Sequence, residues 1–428
     1  MELESYQSEE EYFTAVKKRS ELPAGFRCST TSFRFFPFEK PVEEPLPMNM
    51  SLVLADEATA SFGAVFTRNR FPGAPVIIGK KRCAQPYIRG ICINNKIANV
   101  CTLNGVEDAE SLLEELGKFL GIAGSLLIPA STGIIGWQLP LKEMTAALSH
   151  LVDGLSNDSL FPVARAIMTT DSFPKVRSAP VGGGLVTATA KGAGMIEPNM
   201  ATLLIFILTD VQVEREALRR ALFDVVEETF NRISIDSDQS TSDTAIIISS
   251  NKKPSPGSSV FRETLFNVCS MLAEDIVRNG EGTSHVVRVM VKGIADKYVG
   301  TGIGKSVINS PLVKTAIFGN DANVGRIISA IGDYLGNNSL EIGTEDLVIK
   351  VGGIVIFSAR AFRIDAEKEK RLAGYMKDAR LDTSVKGYPA HNRTVDIELE
   401  FGSTTPVFTV TGSDLTYEYV RENADYRS

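Results

Sequence analysis

Lys191-Gly-Ala-Gly-Met-Ile-Glu-Pro-Asn-Met-Ala-Thr202-Leu-Leu-Ile-Phe-Ile-Leu208 joins a glycine-rich, lysine-bearing turn, through Pro198-Asn199, to an unbroken apolar run. Six consecutive Leu, Ile and Phe residues, closed by Thr209-Asp210, suit a strand buried on both faces. Thr202 then stands at the mouth of a rigid strand. A hydroxyl held there can act as a nucleophile toward a carbonyl, with Gly192 and Gly194 allowing backbone N–H groups to approach closely. Thr is also a favoured strand residue, so Thr202 as a plain strand opener stands beside the chemical reading.

The remainder of the 428 residues is read outward from this strand. Such a length predicts two domains or one large layered domain. The 45 basic and 52 acidic residues leave a net charge of −7, which argues against a nucleic-acid or anionic-membrane surface. Cys28, Cys83, Cys92, Cys101 and Cys269 form no C-x-x-C pair and fit a reducing compartment. His150, His285 and His391 are too scattered for a zinc site, and no metal is expected. Residues 1 to 20 are acidic where a signal peptide needs a basic start and an apolar stretch. The apolar windows, Leu126 to Trp137 and Leu203 to Leu208, are too short or broken to span a bilayer. A cytoplasmic protein is expected.

Upstream of the central stretch, Ser8 and Glu11 form a capping box that predicts a helix over 9–19. Thr30 to Met50 mixes prolines with Phe33, Phe35, Phe36 and Phe38 and is read as irregular or edge structure. Strands are expected at Ser51 to Leu54, Ser61 to Phe66, Val76 to Ile78, Gly90 to Ile93 and Ser125 to Ile128, with a polar loop at Asn94 to Asn99. Leu112, Leu113, Leu116 and Leu120 mark a helix from Asp108, and a further helix is expected over Leu141 to Leu155. Pro129 to Gly136 is a second glycine-rich turn, containing Thr132 and Gly133. It can offer amide donors to an oxyanion or serve as an ordinary turn.

Downstream, helices are expected over Val213 to Arg232 and Phe261 to Asn279, with strands at Ile233 to Asp238 and Thr244 to Ser249. From Val286 onward further strands and helices follow, and Lys-rich Ala366 to Asp382 is a solvated linker or a helix. Gly300-Thr-Gly-Ile-Gly304-Lys305-Ser306 lacks the first glycine of a phosphate loop, Val299 standing there, and is read as a loop entering a helix at Lys305. Asp236, Asp238 and Asp243 lack the glycine and final Glu of a calcium loop. Glu281, between two glycines, faces either a ligand amine or solvent.

Lys191 to Thr202 resembles the self-cleaving site of the ornithine acetyltransferase family, the bifunctional glutamate N-acetyltransferase/amino-acid acetyltransferases of arginine biosynthesis. Further blocks agree in order: Phe66 to Asn69, Ser131 to Gly136, Ile167 to Asp171, Phe230 to Asp236, Gly280 to Gly282, Ser310 to Gly319, Asp321 to Asn323, and the tail from Asp414 to Ser428. The resemblance runs from about Pro23 to the last residue.

It implies an α+β layered sandwich of sheets and helices with a smaller C-terminal α+β domain. On this basis residues 1–19 are an extension, 20–285 the catalytic sandwich and 286–428 the C-terminal domain. It implies self-cleavage between Ala201 and Thr202, giving an α chain of 1–201 and a β chain of 202–428 that assemble as dimers or tetramers of the αβ unit. Thr202, with its new α-amine as base, would move an acetyl group from N2-acetyl-L-ornithine to L-glutamate by ping-pong transfer. Thr132 and Gly133 match the oxyanion pair, one donor of which is typically worth about 3 to 4 kcal/mol. Thr169, Lys191, Thr202, Glu281, Asn423 and Ser428 match substrate-binding positions.

Small amino acids are the expected substrates and no cofactor is implied; acetyl-CoA as a further donor stays open, since no CoA motif is present. The chain departs from the family at Asn94 to Asn99, Phe33 to Phe36, Ser242 and Val324. The first two segments are expected to decide whose acyl group is taken. Another N-acyl amino acid as donor, amide hydrolysis, or an unprocessed non-catalytic paralogue are the alternatives.

Overall fold

The apolar run forms the strand Leu204–Val211, buried at every position. Its alternate residues enter two different cores. Leu204, Phe206 and Leu208 pack with Val53, Ile91 and Ile128. Ile205, Ile207 and Val211 pack with Leu222, Val225, Leu265 and Leu272. Burial on both faces is why the run carries no polar alternation. This computed structural model describes residues 4–197 and 203–424.

Leu204–Val211 is the middle strand of a five-stranded sheet, between Thr244–Lys253 and Gly184–Lys191, with Phe62–Phe66 and Lys175–Val181 outside them. Its pairing with Thr244–Lys253 is parallel, in the register Leu204 to Thr244. A four-stranded sheet of Phe26–Phe35, Leu46–Thr59, Ile88–Asn94 and Leu127–Ser131 lies across the first of these cores. Helices Gly105–Leu120, Leu141–Ala146 and Leu148–Asp153 cover its other face through Leu112, Leu116, Met144 and Leu148. Helices Arg215–Glu228 and Ser258–Arg278 cover the five-stranded sheet. The result is a four-layer helix–sheet–sheet–helix sandwich, an α+β fold.

A seven-stranded sheet carries the smaller unit. Val286–Lys292 and Val395–Phe401 run parallel at its centre, and Val407–Ser413 links them to the two-residue strand Ile233–Ser234. Its core, from Val287 to Val410, is closed by residues of the helices Lys297–Asn309, Pro311–Phe318, Val324–Asn337 and Ala366–Asp378. The N-terminal helix Glu9–Lys18 is capped by Ser8, whose hydroxyl accepts from Glu11 N. It buries Tyr12 and Val16 against Phe161, Phe173 and Val176.

Several local expectations are corrected. Val76 to Ile78 is helical, within Ala74–Arg82: Pro75 suits a helix start, and Lys80, Lys81 and Arg82 complement its C-terminal dipole. Three apolar residues alone do not distinguish the two periods. Gly300 to Ser306 is wholly inside the helix Lys297–Asn309, whose start is set by Asp296 accepting from Tyr298 N and Val299 N. Its glycines let the helix lie close to Phe408, Tyr334 and Val410. The irregular or edge structure expected over Thr30 to Met50 holds for the edge strand up to Phe35 and for residues 36–45, while Leu46 to Met50 begin an inner strand that pairs with it antiparallel. The helix expected over Leu141 to Leu155 is broken at Ala147, and the strand over Ile233 to Asp238 keeps only its first two residues. The strand expected from Ser125 opens with a 3-10 turn, Gly124–Leu126, and runs Leu127–Ser131.

Candidate active site

Four chain turns meet at one end of the sandwich. The first follows Leu127–Ser131. The parallel partner Ile88–Asn94 sets Asn94 opposite Ser131. Ser131 Oγ donates to Asn94 Oδ1 at 2.6 Å, and Thr132 N donates to the Asn94 carbonyl at 3.1 Å. The Ile134 amide then reaches Lys96 O at 2.9 Å. Thr132 therefore has its hydroxyl, not its amide, to offer a ligand, alongside the Gly133 N–H. Gly133 has φ +127°, and a Cβ there would lie 2.2 Å from the Lys96 carbonyl carbon, so only glycine permits this approach.

The second turn follows Gly184–Lys191, which ends on Lys191. Two buried or half-buried carboxylates hold it. Asp171 accepts from Gly192 N at 2.8 Å, from Thr169 N at 3.2 Å and from Lys175 Nζ at 2.6 Å. Asp236 accepts from Met195 N at 2.6 Å and Ile196 N at 2.7 Å. Burial opposes ionisation of Asp171, but the Lys175 and Lys191 ammonium groups and the Gly192 N–H outweigh it and hold the carboxyl at about 2. Asp171 thus fixes the Thr169 loop and the Lys191 turn to each other.

The third turn carries Glu281, whose amide donates to Ala193 O at 2.8 Å. It is buried, which removes the solvated-turn reading. A Cβ on Gly194 would sit 2.2 Å from Glu281 Oε2, so this glycine makes room for the carboxylate. The tail helix Tyr417–Ala424 supplies Asn423, which donates to Glu281 Oε2 at 2.9 Å. The fourth turn, Ser240 to Asp243, leads into Thr244–Lys253.

These turns surround a cavity of about 260 Å³. Its wall includes Thr132, Gly133, Thr169, Lys191, Glu281 and Asn423, bringing together the described sequence candidates. Ala201, Thr202 and Ser428 lie outside the described residues; Leu203 and Leu204, next in the chain, line the cavity. Lys191 supplies positive charge and Glu281 negative charge, a pairing suited to a zwitterionic ligand. Ile134, Met195 and Leu203 supply apolar contact.

Asp171, Asp236, Ser242 and Asp243 are part of this region and were not singled out as site residues by sequence reasoning. Asp171 had one legible signal, an Asp–Lys pair four residues apart. The expectation for Phe33 to Phe36 is corrected. Phe35 is core and Phe36 is exposed, and neither lines the cavity, because the first strand lies at the outer edge of its sheet. From Asn94 to Asn99 the cavity takes Ala98. Among the described residues no group of three or more His, Cys, Asp or Glu side chains could hold a metal ion, and no helix is long and apolar enough to cross a membrane.

Comparison with known proteins bears on this geometry. The arginine biosynthesis bifunctional protein ArgJ of Nitratidesulfovibrio vulgaris is 36% identical over 419 residues, covering 96% of this chain and all of its own length. Glutamate N-acetyltransferase Oat2 of Streptomyces clavuligerus is 37% identical over 375 residues, with 87% of this chain and 92% of that protein covered. Among solved structures, the arginine biosynthesis bifunctional protein ArgJ of Bacillus halodurans is similar at 33% identity and a TM-score of 0.45, covering 52% of this chain and 98% of that one. The profile of the ArgJ family matches residues 43–428. With that profile spanning most of its length and relatives more than a third identical, the chain belongs to the ArgJ family.

Proposed function

We propose that the protein is a self-processing acyltransferase that moves an acetyl group from N2-acetyl-L-ornithine to L-glutamate through an acyl-Thr202 intermediate. The observation that supports it most is the gathering of Thr132, Gly133, Thr169, Lys191, Glu281 and Asn423 around one cavity. That cavity lies at the mouth of the strand that Thr202 precedes. Thr202 Oγ attacks the Ala201 carbonyl, the peptide nitrogen leaves as the new α-amine, and water hydrolyses the ester. The same hydroxyl, deprotonated by that amine, then takes the acetyl group from the donor and passes it to the acceptor amine. The Thr132 hydroxyl and Gly133 N–H stabilise the oxyanion in each step. Lys191 meets a substrate carboxylate, and Glu281, oriented by Asn423, meets an amine.

The five-stranded sheet bears on the processed state. Strands Phe62–Phe66, Lys175–Val181 and Gly184–Lys191 belong to the proposed α chain, and Leu204–Val211 and Thr244–Lys253 to the β chain. The ladder between Gly184–Lys191 and Leu204–Val211 crosses the cut, so cleavage leaves one folded αβ unit. Mass spectrometry of the purified protein is expected to show two chains, the second beginning at Thr202. Thr202→Ala is expected to remain a single chain and to lose transfer entirely; a variant that still transfers acetyl groups would dismiss Thr202 as nucleophile. Product formation that needs no acceptor amine would mark the protein as a hydrolase instead.

A further inference from the structure

We propose that Asp243 carries the amine proton in this cavity, giving a proton to the amine that leaves and taking one from the ammonium that arrives. The role rests on the acyl-transfer function proposed above. Asp243 immediately precedes the strand Thr244–Lys253 and lines the cavity. Its backbone is fixed from both sides: its carbonyl accepts from Thr67 N at 3.0 Å, and the next amide, Thr244 N, donates to Leu203 O at 2.8 Å. The residue is only 2% exposed. Even so, among the described residues its Oδ2 has no hydrogen-bond partner, and neither has the hydroxyl of Ser242 beside it.

Hydrogen bonds from the Ser240 and Thr67 side chains reach the carboxyl, but a carboxylate that deeply buried with one oxygen unpartnered is costly, whereas a neutral carboxylic acid is tolerated. Burial pushes the Asp243 carboxyl well above the usual carboxylate range, although Ser240, Thr67 and the Lys191 charge favour ionisation. Among the described residues, Lys191 and Glu281 are the other charged side chains on the cavity wall, and neither forms an ion pair with Asp243. Asp243 therefore rests as an acid on the cavity wall.

Amide-to-amine acyl transfer needs such a group twice. When the donor's C–N bond breaks, the departing nitrogen takes the proton that the Thr202 α-amine drew from Oγ and a second one from Asp243, so it leaves as an ammonium ion and Asp243 becomes a carboxylate. The acceptor enters as an ammonium ion, returns a proton to that carboxylate, and becomes the free amine that attacks the acyl ester. The attacking nitrogen gives its surplus proton, through the Thr202 α-amine, to the departing Thr202 Oγ; one proton leaves Asp243 and one returns per cycle, so the enzyme is restored without an outside acid or base. A carboxyl shifted upward is better matched to an amine than an ordinary one, because proton transfer is efficient when the two affinities approach each other.

Asp243→Asn keeps the shape and removes the proton. The matured variant and wild type are acetylated with p-nitrophenyl acetate, whose leaving group departs as an anion, then desalted. Each is challenged at pH 7 with glutamate, an ammonium acceptor, or hydroxylamine, an uncharged one, and loss of the acetyl mass is followed. Acetylation and transfer to hydroxylamine are expected to survive in the variant, while transfer to glutamate falls about 100-fold or more. Undiminished transfer to glutamate, or an equal loss with both acceptors, would overturn the proposal. If the variant does not mature, the pH profile of wild-type kcat/KM for glutamate decides. A rise that levels off at least one pH unit below the titration of the glutamate ammonium supports Asp243, whereas a tenfold rise per pH unit that continues until the free amine predominates rejects it. Wild type that passes acetyl to neither acceptor would refute acyl transfer itself, and this role with it.

Discussion

At the residue scale, Gly133 shows how one backbone conformation holds a chemical group in place. Its φ of +127° and the 2.2 Å approach to the Lys96 backbone leave no room for a side chain. The obstructing atoms are main chain and cannot swing away. Gly133→Ala must therefore open the turn that aims the Gly133 N–H, at about 1 to 3 kcal/mol of strain. Transfer is expected to fall about 100-fold or more, as for loss of an oxyanion donor. Kinetics beside a thermal melt check this, and activity within a few fold of wild type would exclude the amide from the oxyanion site. Thr132 and Gly133 were legible as a strand-end turn. The loss of the Thr132 amide to Asn94 was not, because it depends on a parallel pairing with a strand 37 residues earlier. Asp243 was passed over for a related reason: its unpartnered oxygen is a property of the cavity, not of its neighbours in sequence.

At the element scale, Lys297–Asn309 is instructive because its Gly-Thr-Gly-Ile-Gly pattern suggests a loop and forms a helix. Helical glycines cost about 1 kcal/mol each in propensity relative to alanine. Close packing offsets that cost. A Cβ on Gly300 would stand 2.3 Å from the Phe408 ring, and one on Gly304 2.8 Å from Val410 Cγ2. The helix thus approaches the sheet more closely than side chains would allow. Gly300→Ala gains in propensity but drives into the half-buried Phe408 ring, and overpacking of this kind typically costs 1–3 kcal/mol. A net loss of about 1 kcal/mol is expected in urea unfolding; a stabilised variant would show that the helix can slide outward at little cost. Lys305, in the same pattern, lies 3.4 Å from Glu197, an ion pair that links this helix to the segment leading toward Thr202.

At the scale of the whole molecule, the sandwich is held at the site by the fully buried Asp171–Lys175 pair. With Asp171 held at about 2 against an ordinary 3.8, its carboxylate is deprotonated more readily in the folded than in the unfolded chain. Its stabilising contribution is fully present above about pH 4 and is lost as pH falls toward 2, amounting to about 2 kcal/mol in all. The double variant Asp171→Asn/Lys175→Met removes the titration without leaving a lone buried charge. Its unfolding free energy is expected to fall less than that of wild type between pH 5 and 3, by about 1 kcal/mol. Equal acid sensitivity in the two proteins would assign the pH response to other carboxylates.

The sequence by itself determined the central strand, because a run buried on both faces must be apolar throughout. It also determined the glycine turns at Thr132 and Gly194, whose composition reflects backbone demands, and the membership that ordered motifs betray. Short apolar segments such as Val76 to Ile78 stayed ambiguous, since three residues complete neither a helical turn nor a useful alternation. Only the tertiary structure decided that residues from 132 to 423 meet around one cavity, and that the Phe33 to Phe36 segment does not. Strand register and the turn-to-turn hydrogen bonds of Asp171, Asp236 and Asn94 set those neighbours across long stretches of chain. Such pairings leave no periodic trace in the residues that make them.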